Sequence, residues 1–185
     1  MNVYDFDKTI YVNDSTKEFY LYCLKKYPVL ILLAPAHLSG FPGYLLGLRK
    51  KTRAKERFYS FLKYIPDIDL EIKMFWESRM GGIKKWYLEK KKEDDLVISA
   101  SPEFIVGEAC SRLGIEYMAS RVDKKTGKYS GENCHGEEKV RRFYEAYPEG
   151  EIEEFYSDSL NDTPLAKIAR KAYLVDKNEI KKWEE

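Results

Sequence analysis

Asn2-Val3-Tyr4-Asp5-Phe6-Asp7-Lys8-Thr9 is the stretch that decides the fold. Residues 2–6 have room for one short strand only, and its end carries Asp5 and Asp7, with Thr9 following. Side chains two apart on an extended chain point the same way, so all three face one pocket. Two close carboxylates repel unless a cation joins them or one takes a proton. Hard oxygen donors suit Mg²⁺. Taken alone, the stretch also reads as a polar turn that happens to be acidic.

Outward from this strand the texture is helical for a long way. Asn13-Asp14-Ser15 is a turn, and Asp14 or Ser15 is expected to cap a helix that brings Phe19, Tyr20, Cys23 and Leu24 to one side. Pro28 to Leu48 is apolar, broken by prolines and glycines, and contains His37. Residues 52–65 read as an amphipathic helix with Ala54, Phe58, Phe61, Leu62 and Ile65 on one side, stopped by Pro66. One or two further helices cover Leu70 to Lys91. At Asp94-Asp95 the pattern changes. Leu96-Val97-Ile98 reads as a buried parallel strand, Pro102 to Leu113 as a helix ended by Gly114, and Ile115–Met118 as a strand. Residues 124–128 suggest a hairpin turn. Gly136–Tyr147 is expected to be helical, Glu154–Tyr156 a strand, Pro164–Lys171 a helix and Ala172–Val175 a last strand. Strands alternating with helices imply a parallel sheet. The fold class is therefore α/β: a Rossmann-like parallel-sheet core of residues 1–12 and 92–185, with an α-helical block, 13–91, inserted between the first two strands.

Three more groups carry chemistry. Ser99-Ala100-Ser101-Pro102 ends the second strand at a helix start, where backbone N–H groups and the Ser99 hydroxyl can bind an anion; a plain Ser cap is the alternative. Ser157-Asp158-Ser159-Leu160-Asn161-Asp162 follows a strand and sets two carboxylates four apart across a turn, or is a loop rich in turn formers. Lys139 lies one turn into the helix from Gly136, whose Arg141 and Arg142 mark a solvated face. The acidic and hydroxyl groups all fall at the carboxyl ends of predicted parallel strands, where open α/β sheets bind ligands.

Composition bounds the rest. Of 185 residues, 44% are hydrophobic and 34% charged, which predicts a soluble chain with a real core. A formal net charge of +1 argues against a nucleic-acid-coating protein. Cys23, Cys110 and Cys134 are too few and scattered for a disulfide framework, and with two histidines a zinc site is not expected. The acidic start without an apolar core excludes a signal peptide, so a cytoplasmic location is expected.

At this point the sequence resembles the haloacid-dehalogenase-like phosphatase superfamily. That pattern is Asp-x-Asp-x-Thr, an apolar strand ending in Ser or Thr, a Lys, then Asp-x-x-x-Asp; here Asp5-Phe6-Asp7-Lys8-Thr9, Ser99, Lys139 and Asp158/Asp162 match in order. The helical insertion and the runs Gly131–Val140 and Ser157–Asp162 look like the phosphoserine-phosphatase-like branch. The resemblance implies a Mg²⁺-dependent phosphatase of small phosphomonoesters. Asp5 would be the nucleophile that becomes an aspartyl-phosphate, and Asp7 the general acid and base. Asp5, the backbone carbonyl of Asp7, and Asp158 would be metal ligands. Thr9, Ser99, Ala100 and Lys139 would bind the phosphoryl group, with Asp162 and Asn161 in support.

Two departures stand out. His135 occupies the place of the lysine of phosphoserine phosphatases, and Lys139 is the expected cation. Asp14 stands where they meet the substrate amine, but their substrate-carboxylate Arg has no clear counterpart; Arg53 and Arg57 are the nearest, and their Ser-Gly-Gly is Ser99-Ala100-Ser101. Phosphoserine itself is therefore doubtful as the substrate. A phosphotransferase and a catalytically silent binding protein are alternatives on the same fold. Pro28–Leu48 is expected to pack inside the protein. The basic residues that follow, from Arg49 to Arg57, would instead suit a membrane surface and a lipid-phosphate substrate.

Overall fold

The short first strand, β1 (Asn2–Tyr4), is buried on both faces and lies at the centre of the sheet. The computed structural model describes residues 1–45 and 51–184. Among them, β2 (Leu96–Pro102), β3 (Glu116–Ser120), β4 (Ile152–Ser157), β5 (Ala169–Asp176) and β6 (Glu179–Lys182) complete one sheet in the spatial order β3-β2-β1-β4-β5-β6. All neighbours pair in parallel except β6, which runs antiparallel to β5. Six helices connect β1 to β2: α1 (Ser15–Lys26), α2 (Val29–Leu38), α3 (Gly40–Leu45), α4 (Lys51–Tyr59), α5 (Ile68–Arg79) and α6 (Lys85–Lys90). Then α7 (Glu103–Leu113), α8 (Glu137–Ala146) and α9 (Thr163–Ile168) make the later crossovers.

Alternation along the central strands divides the core in two. Tyr4, Phe6, Val97 and Tyr156 join an aromatic-rich cluster with Phe19, Phe61, Phe75 and Trp76 of the helical segment and Ile105 of α7. Val3, Leu96, Ile98 and Phe155 face the other way, onto Phe143 of α8 and Leu165 of α9. The inserted helices thus share one hydrophobic core with the sheet. Polar ties reinforce that seam: the Trp76 indole N–H donates to Ile105 O at 2.8 Å, and the Tyr129 N–H to Glu56 at 3.0 Å. The expected turn at 124–128 is closed by Gly127 N–H to Asp123 O at 2.8 Å. Gly127 has φ +72°, and a Cβ there would lie 2.6 Å from Tyr59 O, so only glycine lets this turn sit against the helices.

Most elements lie where the sequence places them. Asp14 caps α1 by accepting the Lys17 N–H at 2.8 Å, and Ala54, Phe58, Phe61, Leu62 and Ile65 are buried across α4 and the 3₁₀ turn that extends it. Three expectations are corrected. The last helix stops at Ile168 because Ala169 and Lys171 pair with Ile152 and Glu154, so sheet pairing overrides helical propensity. The edge strand β6, absent from the expectation, is exposed and charged, and so has no apolar signature; such charge also protects a sheet edge from further pairing. Finally, Pro28–Leu48 is not internal as a whole. Within α2 only Leu30 and His37 are buried, while Ile31 is 59% and Leu32 82% exposed. Residues 46–50 lie outside the described residues. No described helix is long and apolar enough to cross a membrane.

Glu71 of α5 ties the helices to one another. It is buried and accepts from Tyr22 (2.8 Å), Lys26 (2.8 Å) and Tyr27 (2.7 Å). Burial alone would raise its pKa; the three donors outweigh that and hold it below the ordinary carboxylate value. Its contribution is therefore present at neutral pH and lost as pH falls through the depressed value. Glu71→Gln should cost about 1–3 kcal/mol at pH 7. In urea unfolding the gap between variant and wild type should shrink as pH is lowered towards that value; a pH-independent gap would contradict the assignment.

Candidate active site

The sheet order reverses direction at β1, with β2 on one side and β4 on the other, and a crevice opens beyond their carboxyl ends. A cavity of about 300 Å³ lies there. Asp5 follows β1 directly, its N–H continuing the ladder to Tyr156 O at 2.8 Å. Lys139, 1% exposed, reaches in from α8 and donates to Asp5 Oδ1 and Asp162 Oδ2, both at 2.7 Å. The Ser157 hydroxyl donates to the same Asp162 oxygen at 2.8 Å. Burial raises the Asp5 carboxyl above its ordinary pKa although Lys139 opposes the shift. Burial would lower Lys139, but Asp5 and Asp162 outweigh it and keep the ammonium charged.

Asp7 has both oxygens engaged: Oδ1 accepts the Ser15 N–H at 2.7 Å, and Oδ2 accepts the Ser101 hydroxyl. Burial first, then the charge of Asp14, raise its pKa. Asp5, Asp7, Asp14, Ser99, Ala100, His135, Lys139, Asp158, Asn161 and Asp162 all line the cavity. Thr9 does not line it. It is fully buried, and its Oγ1 accepts the Asp158 N–H at 2.9 Å, so this hydroxyl faces the loop after β4 instead of the phosphoryl site expected for it. Ser99 Oγ accepts the Ser101 N–H at 3.2 Å. Arg53 and Arg57 are not lining residues; Arg57 turns away and donates to Ala36 O at 3.1 Å.

Five carboxylates line this cavity against three ammonium groups, those of Lys8, Lys55 and Lys139. That excess is what a bound cation would relieve. Among the described residues no three His, Cys, Asp or Glu side chains form a metal cage. Mg²⁺ needs only one or two carboxylates and keeps several waters. Asp5 and Asp158, whose carboxyl is raised by burial, line the cavity with Asp7 and could hold such an ion.

Residues 3–167 match the haloacid dehalogenase-like hydrolase family. The chain belongs to that family. The fold is shared with solved structures at low identity. A protein of unknown function from Bordetella pertussis Tohama I is 17% identical with TM-score 0.71, covering 93% of this chain and 87% of that one. A phosphoserine phosphohydrolase-like protein from Francisella tularensis is 17% identical with TM-score 0.55, covering 93% and 86%. A probable phosphoserine phosphatase from Vibrio cholerae is 15% identical with TM-score 0.65, covering 92% and 55%. Comparison with curated proteins finds no match.

Sequence reasoning missed three residues here. Ser101 stood in a quoted motif but without its bond to Asp7. Lys55 comes from α4 and donates to Ala100 O at 3.2 Å and Asn133 Oδ1 at 2.9 Å. Lys84 is buried and donates to the carbonyls of Lys8 and Lys177. Burial lowers its pKa despite Asp158 and Asp176. Lys8 has φ +59°, a left-handed conformation uncommon outside glycine, and the Lys84 ammonium fixes its carbonyl. No local pattern marks Lys55 or Lys84, because their partners are distant in sequence. Lys84→Met should destabilise the fold by about 1–3 kcal/mol by leaving two carbonyls without their donor. The neighbouring exposed lysine, changed as Lys85→Met, should stay within about 0.5 kcal/mol of wild type. Equal urea midpoints for the two variants would refute the role given to Lys84.

Proposed function

We propose that the protein hydrolyses a phosphomonoester through an aspartyl-phosphate on Asp5, with Mg²⁺ as cofactor. The observation that carries this reading is the buried Lys139 between Asp5 and Asp162 at the switch point of the sheet. It sets a nucleophilic carboxylate beside a fixed positive charge suited to phosphoryl oxygens. Lys139, and not His135, is thereby favoured as the phosphate-binding cation.

An Asp5 oxygen attacks phosphorus in line, and the bond from phosphorus to the ester oxygen breaks. Asp7, protonated, gives its proton to that oxygen as it leaves; its raised pKa suits a general acid. Asp7 then takes a proton from water as the water oxygen attacks the aspartyl-phosphate. Inorganic phosphate departs and Asp5 is regenerated. Ser101 and the Ser15 N–H hold Asp7 in place. Ser99, the backbone at Ala100, and Lys139 bind phosphoryl oxygens. Thr9 positions Asp158 through its N–H. Asp162 orients Lys139, and Asn161 borders the site. Asp5, the Asp7 carbonyl and Asp158 would hold Mg²⁺, which supplies neutralisation of charge on the transferred group. Residues 13–91 act as a cap over the core of 1–12 and 92–185, excluding water and choosing the substrate. No arginine is among the described residues that line the cavity, so an amino-acid carboxylate such as that of phosphoserine would have to meet Lys8 or Lys55 there.

Asp5→Asn should lower kcat on an aryl phosphate by roughly a thousandfold or more while the far-UV spectrum stays native; activity within a few-fold of wild type would refute the nucleophile. Excess chelator should abolish turnover and added Mg²⁺ restore it; full activity in chelator would refute the cofactor.

A further inference from the structure

A second cavity, of about 480 Å³, lies against the first. Its apolar walls are Tyr20, Leu21, Leu38, Phe41, Phe58 and Tyr59, contributed by α1, α2, α3 and α4, with Thr16 and Lys17 at its edge. Asp14, Lys55 and Ser101 line both cavities, so the two meet at those three side chains. Building on the phosphohydrolase reading above, we infer that this cavity receives the leaving group, and that the substrate is a phosphomonoester bearing an apolar chain or ring.

The position of the general acid sets the direction. The Ser101 hydroxyl donates to Asp7 Oδ2 and Ser101 also borders the apolar cavity. An ester oxygen that takes its proton from Asp7 therefore departs on the Ser101 side, towards the tyrosine, leucine and phenylalanine walls. A serine leaving group would bring an ammonium and a carboxylate beside those apolar walls, where only Asp14, Lys17 and Lys55 carry charge to pair them. Among the described lining residues of the two cavities its carboxylate would find lysines but no arginine, and so no two-pronged partner. A larger opening of about 890 Å³ also touches the site, but Ser101 does not border it, and its walls mix Val12, Leu21, Leu174 and Val175 with Lys8, Glu18, Asp176 and Lys177. An aliphatic or aromatic group gains more in the cavity that Ser101 borders, where fewer charged side chains have to give up water.

The same chemistry can come from a free solute or from a lipid. Leu38, in the cavity wall, lies on α2, whose Ile31 and Leu32 are exposed to solvent. An apolar helix at the cavity mouth could meet a bilayer that holds the chain.

The test is a series of straight-chain alkyl monophosphates, ethyl to octyl, with O-phosphoserine and an aryl phosphate alongside, on the full chain with Mg²⁺. kcat/KM should rise about fourfold per methylene until the cavity is filled, and O-phosphoserine should be the poorest ester. Octylphosphonate, which cannot be hydrolysed, should bind more tightly than ethylphosphonate by calorimetry. Leu21 and Leu38 are 45% and 43% exposed, so Leu21→Glu and Leu38→Glu should fold normally and flatten the slope with chain length. Dodecyl phosphate in phosphatidylcholine vesicles, if hydrolysed faster than octyl phosphate in solution, assigns the bilayer as source; the reverse assigns a free solute. Turnover of all esters without regard to chain length, a preference for phosphoserine, or an unchanged slope in both glutamate variants would overturn the inference alone. Turnover of none would overturn the hydrolase reading beneath it.

Discussion

Lys139 is a fully buried ammonium held at 2.7 Å from two carboxylates, and the rest of the site is arranged around it. A lone charge in that position would be prohibitive, and removing one partner of a buried pair typically costs about 3–5 kcal/mol. The three groups come from distant parts of the chain: the end of β1, the first turn of α8 and the loop after β4. Their convergence is possible because β1 and β4 are adjacent parallel strands, in register from Asn2 with Glu154 to Tyr4 with Tyr156. The ladder thus fixes where Asp5 and Asp158 emerge. The Thr9 hydroxyl then joins the two loops by accepting the Asp158 N–H.

The helical segment is bound to this arrangement by packing and by a few directed bonds. Trp76, Phe75 and Phe6 form one edge-to-face group under the first loop, with Phe6 and Trp76 centroids 5.7 Å apart and Phe75 and Trp76 5.0 Å apart. Thr16 donates to Ser101 at 3.1 Å, and Lys55 and Lys84 reach across to backbone carbonyls around the site. A shift of these helices would therefore move Ser101, Asp7 and Lys8 together. The same helices supply the apolar walls beside the site, so what fixes Asp7 also shapes the space next to it.

Much of this was legible in the sequence, for a physical reason. Buried parallel strands are short apolar runs, and Val3-Tyr4, Leu96-Val97-Ile98 and Phe155-Tyr156 each end in residues that an apolar core would reject. Asp5, Ser99 and Asp158 stand out on that contrast. The motif pattern favours Lys139 over His135, and Lys139 donates to Asp5 and Asp162. What stayed hidden depends on long-range geometry. Lys55 meets Ala100 across 45 positions and Lys84 meets Lys8 across 76, and each looks like an ordinary surface lysine in a basic stretch. Thr9 looked like a phosphate ligand because the pattern cannot reveal which way a hydroxyl turns. The exposed side of α2 was hidden too: an apolar run without polar alternation gives no sign of which face is covered.

On the proposed mechanism Asp5 carries the phosphoryl group and Asp7 is the base that frees it. Asp7→Asn would then block cleavage of the intermediate, while an aryl phosphate has a leaving group that departs without an acid. The direct measurement is mass spectrometry of this variant, quenched in acid during turnover of an aryl phosphate and then digested. The account predicts a phosphoryl group on the peptide that contains Asp5. Phosphoryl on another residue, or continued turnover with no covalent phosphoprotein, would contradict it.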